Sequence, residues 1–205
     1  GLAAVELAAV MGATVIAAAS TEEKLAMCRE KGATHTINYA QDDLREQLKA
    51  LAGKKGGDVV VDPVGGDYAE AALRSMGWEG RYLVIGFAAG DIPRLPFNLP
   101  LLKGCSGMGV FWGSFAERDP GKNLQNLAQL LQWMQKGKIR QHIHHMYRLE
   151  EAPQALQDMA ERKIQGKAVV VLRDIERPAA PKAAAKQESS NATDSPPQAA
   201  AAGEP

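Results

Sequence analysis

GLAAVELAAVMGATVIAAASTEEKL, residues 1–25, sets two helix patterns around one short apolar run. Residues 1–13 read as an apolar helix, and TVIAAA at 14–19 reads as a parallel strand buried on both faces. Ser20-Thr21-Glu22-Glu23 then opens a second helix, with Ser20 and Glu23 at the spacing of a capping box. That helix is expected to run to about Lys31, where Gly32 supplies a left-handed stop. A helix that packs on a parallel sheet is fed by a strand, and none precedes residue 1.

The alternation continues along the chain. THTINY (34–39) is the next strand, and Asp42 and Asp43 start a helix with Leu44, Leu48 and Leu51 on one face and Gly53 beyond its end. VVVD (59–62), RYLVIG (81–86) and MGVFW (108–112) read as three further strands, with a helix over 67–76. After the Asp119-Pro120-Gly121 break, Leu124, Leu127, Leu131 and Met134 mark a long amphipathic helix. HIHHMYRL is a short extended piece, EEAPQALQDMAERK a helix and KAVVVL (167–172) a last buried strand. Apolar strands alternating with capped helices predict an α/β fold with a mainly parallel, doubly wound sheet. Right-handed crossovers place helices on both faces, and sites lie at the carboxyl ends of the strands.

Composition narrows the function classes. The 205 residues suffice for one domain with a substantial core, and a 45% hydrophobic content excludes global disorder. Lys plus Arg and Asp plus Glu balance at 24 each, so net charge points to neither nucleic acid nor an anionic membrane. No stretch reaches the roughly 20 apolar residues that span a bilayer. Cys28 and Cys105 are far apart without a CxxC, which favours a reducing compartment, cytoplasmic with mitochondria left open. From Ile175 the chain turns to Ala, Pro and small polar residues, which predicts a domain over 1–174 and a disordered tail over 175–205. Asn191-Ala192-Thr193 in that tail matches a glycosylation sequon and reads as an unused triplet.

GLAAVELAAVMGATVIAAASTEEKL, INY at 37–39, DPVGGD at 62–67, RYLVIGFAAG at 81–90 and GVFWG at 109–113 together resemble one family over about residues 1–173. It is the quinone oxidoreductase (zeta-crystallin-like) branch of the zinc-independent medium-chain dehydrogenases/reductases. The resemblance implies a Rossmann-type domain lacking its first strand and the N-terminal GroES-like substrate domain. Gly1 then matches the last glycine of a loop that, with the helix N-terminus, holds a pyrophosphate. It further implies NADPH-dependent hydride transfer to a small-molecule quinone or activated enone, with placement as the protein's main contribution. Subunits are expected to pair through the strand at 108–112.

Ala19-Ser20-Thr21 stands where many dinucleotide domains carry an acidic residue for the ribose, and Lys24 follows one turn on. A hydroxyl and an ammonium there suit a 2′-phosphate, and the resemblance adds Tyr39 to the phosphate contacts. Each has a plainer reading: Ser20 as a helix cap, Lys24 as a solvated charge, Tyr39 as strand-end packing. Gly65, Gly66 and Gly86 follow strands where a backbone can approach a ligand, or are ordinary tight turns. The resemblance places Phe87, Phe111 and Trp112 near the nicotinamide half and Lys167 close to the cofactor; core or subunit packing and a plain surface charge are the alternatives. No residue reads as a general acid or base. His142 and His144 would share a strand face while His145 points away, and no carboxylate or thiolate completes a metal site. Two other classes compete: a non-catalytic truncated product acting through association, and a different Rossmann-like cofactor user such as a methyltransferase, against which Ser20 argues.

Overall fold

The structure, a computed structural model, describes residues 1–161 and 163–172. The expected tail over 175–205 and its sequon lie outside the described residues. Helix α1 (Leu2–Val10) is built of Leu, Ala and Val apart from Glu6, and the Gly1 carbonyl accepts the first helical amides, from Ala4 at 3.0 Å and Val5 at 3.2 Å. Strand β1 (Ile16–Ala19) is shorter than the expected run, and its Ala17 is buried while Ala18 is exposed. Burial on both faces is therefore not realised.

Helix α2 (Glu22–Glu30) corrects the expected capping box. Thr21, not Ser20, is the N-cap: it is extended at φ −138° and ψ 153°, and its hydroxyl accepts from the Lys24 amide at 3.4 Å. Strand β2 (His35–Asn38) leads to helix α3 (Leu44–Ala52), where Asp43 caps the Glu46 amide at 2.9 Å as its sequence position predicts. Strand β3 (Gly57–Asp62) and helix α4 (Tyr68–Arg74) follow. Strand β4 (Met76–Val84) starts five residues before the expected 81, passing an irregularity at Gly77–Gly80 where Glu79 takes φ 59°.

A short helix α5 (Asn98–Lys103) was not foreseen, because Pro100 sits inside it; in the first turn a proline costs no hydrogen bond. Strand β5 (Ser106–Gly109) ends earlier than the expected 108–112, and Trp112 opens helix α6 (Trp112–Arg118) instead of closing a strand. Helix α7 (Pro120–Gln135) is capped by Asp119, whose carboxylate accepts from the Lys122 amide at 2.9 Å, with Pro120 as first residue. Strand β6 (Ile143–Arg148), a 3₁₀ turn (Leu149–Glu151), helix α8 (Ala152–Ala160) and strand β7 (Lys167–Val171) complete the described elements.

Every strand pairing is parallel, as the βαβ reading predicts. The strands nevertheless form three ladders, β1–β2, β3–β4–β5 and β6–β7, and among the described residues no strand joins β1 to β3. The main core lies on one face of the three-stranded ladder, where Ala69, Leu73, Met76, Tyr82 and Leu99 cluster against Val60, Val84 and Leu95. A smaller core of Ala17, Leu25, Cys28 and Ile37 fills the space between α2 and the β1–β2 ladder. On the other face of the larger ladder, the paired positions Val59 and Val61 on β3 and Met108 on β5 remain 41–46% exposed.

Candidate functional site at the carboxyl ends of the parallel strands

Parallel strands deliver their carboxyl ends to one edge, and the loops there carry most of the candidate residues. At the end of β1 and β2 the Tyr39 amide donates to the Ala19 carbonyl at 3.1 Å, which sets Tyr39 beside Ser20. Ser20 is half-buried and leaves capping to Thr21, so the plainer reading of Ser20 as a helix cap fails. Lys24 is half-buried on the first turn of α2 and forms no salt bridge among the described residues. Glu23 next to it is held below the usual carboxylate range by its own amide and by the Thr21 hydroxyl. The Tyr39 ring also packs on Tyr68 of α4, centroids 4.5 Å apart and tilted by 43°. Tyr39 thus has a packing role as well, and it links the β2 end to the helix following β3.

The loop after β3 is more tightly built. The Asp62 Oδ1 accepts from the Val64 amide at 2.8 Å and the Gly65 amide at 2.9 Å, while Oδ2 accepts from the buried Tyr82 hydroxyl. Burial, reinforced by the Asp62 carboxylate, pushes the Tyr82 phenol far above its ordinary value. Gly65 and Gly66 take φ 68° and 61°, a region side-chain-bearing residues rarely adopt. A Cβ at Gly65 would stand 2.9 Å from the Phe87 ring, and one at Gly66 2.9 Å from the Ala89 Cβ. The loop after β4 is zipped onto this turn: the Ile85 amide reaches the Asp62 carbonyl at 2.9 Å, Ala88 reaches Pro63 at 3.1 Å and Ala89 reaches Val64 at 2.9 Å. Gly65, Gly86 and Phe87 are therefore brought together at one place, with Phe87 partly exposed above the glycines. Sequence reading missed Asp62 and Tyr82, because twenty residues separate them and no local spacing relates a strand-end carboxylate to a phenol on the next strand.

Other candidates stand apart from that turn. Val110 donates to the Val84 carbonyl at 2.9 Å, which holds the start of the next loop at the same edge. Phe111 and Trp112 are 80% and 68% exposed, and the Trp112 indole donates to Asn123 of α7 at 3.2 Å, so the structure ties Trp112 to a helix and not to the glycine turn. Lys167 opens β7 in a separate ladder, its amide donating to the His142 carbonyl at 2.9 Å. His145 packs edge-on against Tyr147 with centroids 4.5 Å apart. His144, His145, Tyr147, Gln154, Asp158 and Lys163 border a polar hollow of about 360 Å³ that sequence reading did not foresee.

Residues 1–135 match the model of the family described as zinc-binding dehydrogenase, and the chain belongs to that family. It is 40% identical over 174 residues to quinone oxidoreductase-like protein 2 of Bos taurus, an alignment covering 84% of this chain and 50% of the relative. The crystal structure of Escherichia coli quinone oxidoreductase complexed with NADPH superposes with a TM-score of 0.73 at 26% identity, over 84% of this chain and 53% of that one. A crystal structure of an NAD-dependent alcohol dehydrogenase superposes with a TM-score of 0.72 at 29% identity, over 84% and 48%. The fold is the Rossmann-type domain of the medium-chain dehydrogenases/reductases, of the quinone oxidoreductase-like kind. The chain spans about half the length of the curated relatives it matches. The family description names zinc, but among the described residues no group of three or more His, Cys, Asp or Glu side chains could hold a metal ion. The described residues thus fit no zinc site.

Proposed function

We propose that residues 1–174 are the NADP-binding domain of an NADPH-dependent reductase of quinones or activated enones. The observation that carries this reading is the placement, at the carboxyl ends of parallel strands, of a hydroxyl and an ammonium without a salt bridge among the described residues after β1, and of a hydrogen-bonded double-glycine turn after β3. When bound, NADPH supplies the hydride. The chain's own residues bind and orient: the helix N-terminus at Gly1 faces the pyrophosphate, Ser20, Lys24 and Tyr39 meet the 2′-phosphate, and Gly65, Gly86 and Phe87 line the nicotinamide half. Phe111, Trp112 and Lys167 belong to the rim of that site.

The two sides of the turn explain why the glycines suit the role. With Phe87 and Ala89 2.9 Å from where side chains would begin and φ positive at both glycines, any substitution there would strain the turn and push the 85–89 loop away from it. The dehydrogenase family match leaves the methyltransferase reading without support. The association reading keeps one: every residue of β5 is exposed, as are Phe111 and Trp112 beside it, which makes the 108–112 stretch the natural place for a second copy to pair. Because acceptor-choosing residues are proposed to lie outside these 205, the chain alone should show little turnover with NADPH and a quinone.

The test is nucleotide choice, followed by fluorescence titration. Lys24→Ala should weaken NADPH binding by about tenfold, the loss of one charge-assisted phosphate contact, and leave NADH binding unchanged. Equal loss of both nucleotides, or of neither, overturns the phosphate assignment, and turnover by this chain near the rate of a whole reductase overturns the expectation of low activity.

A further inference from the structure

Asp62 is the point where two loops are fixed at once. Its carboxylate takes the Val64 and Gly65 amides and the Tyr82 hydroxyl, and its carbonyl takes the Ile85 amide at 2.9 Å and the Gly86 amide at 3.4 Å. No Lys or Arg pairs with it among the described residues. The carboxylate is half-buried, and these three donors supply the partners that a cation would otherwise provide. The two glycines that follow have the widest backbone freedom of any residue, so their consecutive left-handed conformations need an external restraint. Tyr82 lies in the main core at 3% exposure, on the strand beside β3, and transmits the rigidity of that core to the loop.

We propose that Asp62 and Tyr82 are positioning residues that preset the 63–66 turn for the dinucleotide, a role that rests on the cofactor reading above. Neither side chain touches the ligand. Together they remove, before binding, the backbone freedom that the ligand would otherwise have to quench.

The experiment uses the full 205-residue chain and the variants Asp62→Ala, Asp62→Asn and Tyr82→Phe, each held well below its unfolding midpoint. NADPH affinity is read by fluorescence titration, and exchange of the Val64 and Gly65 amides by hydrogen exchange. Asp62→Ala should bind NADPH about tenfold more weakly or worse and exchange both amides faster by a similar factor, the effect of losing two hydrogen bonds to a charged acceptor. Asp62→Asn keeps an oxygen for both amides and an NH₂ for the Tyr82 oxygen, so it should stay within about threefold of the parent. Tyr82→Phe should fall between the two and preserves core packing, which keeps the test valid should Asp62→Ala fail to fold. Parent-like NADPH affinity in Asp62→Ala and Tyr82→Phe overturns the positioning role and leaves the cofactor reading standing. A parent chain that binds no NADPH, even with slow exchange of the Val64 and Gly65 amides, overturns the cofactor reading, and this role with it.

Discussion

At the scale of the residue, two neighbouring hydroxyls divide their work. Thr21 is extended and caps α2; Ser20 one position earlier is half-buried and does not. Thr21→Ala should therefore cost about 1 kcal/mol in urea denaturation, the usual worth of an N-cap, whereas Ser20→Ala should leave the midpoint unmoved. A loss at Ser20 instead would return the cap to that residue. The distinction was hidden in the sequence, since Ser and Thr both cap helices, Ser if anything the better, and only the backbone at Thr21 selects between them. Asp62 was hidden for a different reason. Its partner comes from the neighbouring strand of the ladder, so the pair exists only once the register of β3 and β4 is set.

Among elements, the helices announced themselves best where a polar cap precedes a periodic stretch. Asp43 before α3 and Asp119-Pro120 before α7 both hold the amides their positions predict. Aromatic and glycine-rich stretches were less legible. MGVFW has the apolar run of a strand, yet its pairing stops at Gly109 and Trp112 turns into a helix whose indole finds Asn123. Ties between elements were not legible at all, because they join distant segments. The Glu6 carboxylate of α1 accepts from the Lys31 ammonium at 2.8 Å and from the Arg140 amide at 2.9 Å, and Lys31 also donates to the Arg140 carbonyl. The Glu6 and Lys31 side chains are only 13% and 15% exposed, so solvent screens the pair little. Glu6→Ala should destabilise by about 3 kcal/mol, the cost of leaving one partner of a largely buried pair uncompensated. Thermal denaturation of Glu6→Ala against Glu6→Gln, which keeps an acceptor for the Arg140 amide, checks this, and equal midpoints for all three proteins would refute it.

For the whole molecule, titration sets the pH window. Glu23, Asp158 and Glu161 are depressed, the first by its own amide and Thr21, the second by Tyr147 and Gln154, the third by Lys163 and Gln157. A carboxyl depressed in the folded state contributes stability that is present above its unfolded value and is lost as pH falls through the folded one. Stability should accordingly decline below about pH 4. Tyr82 and Tyr147 are raised, both chiefly by burial, so the folded state favours their neutral forms; that advantage is full below the unfolded value and wanes above about pH 10. Denaturation midpoints measured from pH 3 to 11 should form a plateau with those two shoulders. A steady slope across neutral pH would show that other groups control folding.

The bare valine side of the β3–β5 ladder has a practical consequence for anyone judging the fold by dye. A probe such as ANS, dim in water and bright on greasy surfaces, should fluoresce strongly with the native chain at neutral pH, a response usually taken as the mark of a molten globule. The same sample should keep near-ultraviolet dichroism, because Tyr82, Tyr147 and the Tyr39–Tyr68 pair sit in fixed, asymmetric surroundings. Charging the surface with Val61→Lys should dim the dye while the dichroism persists. Brightness without dichroism would mean that the ladder itself had melted.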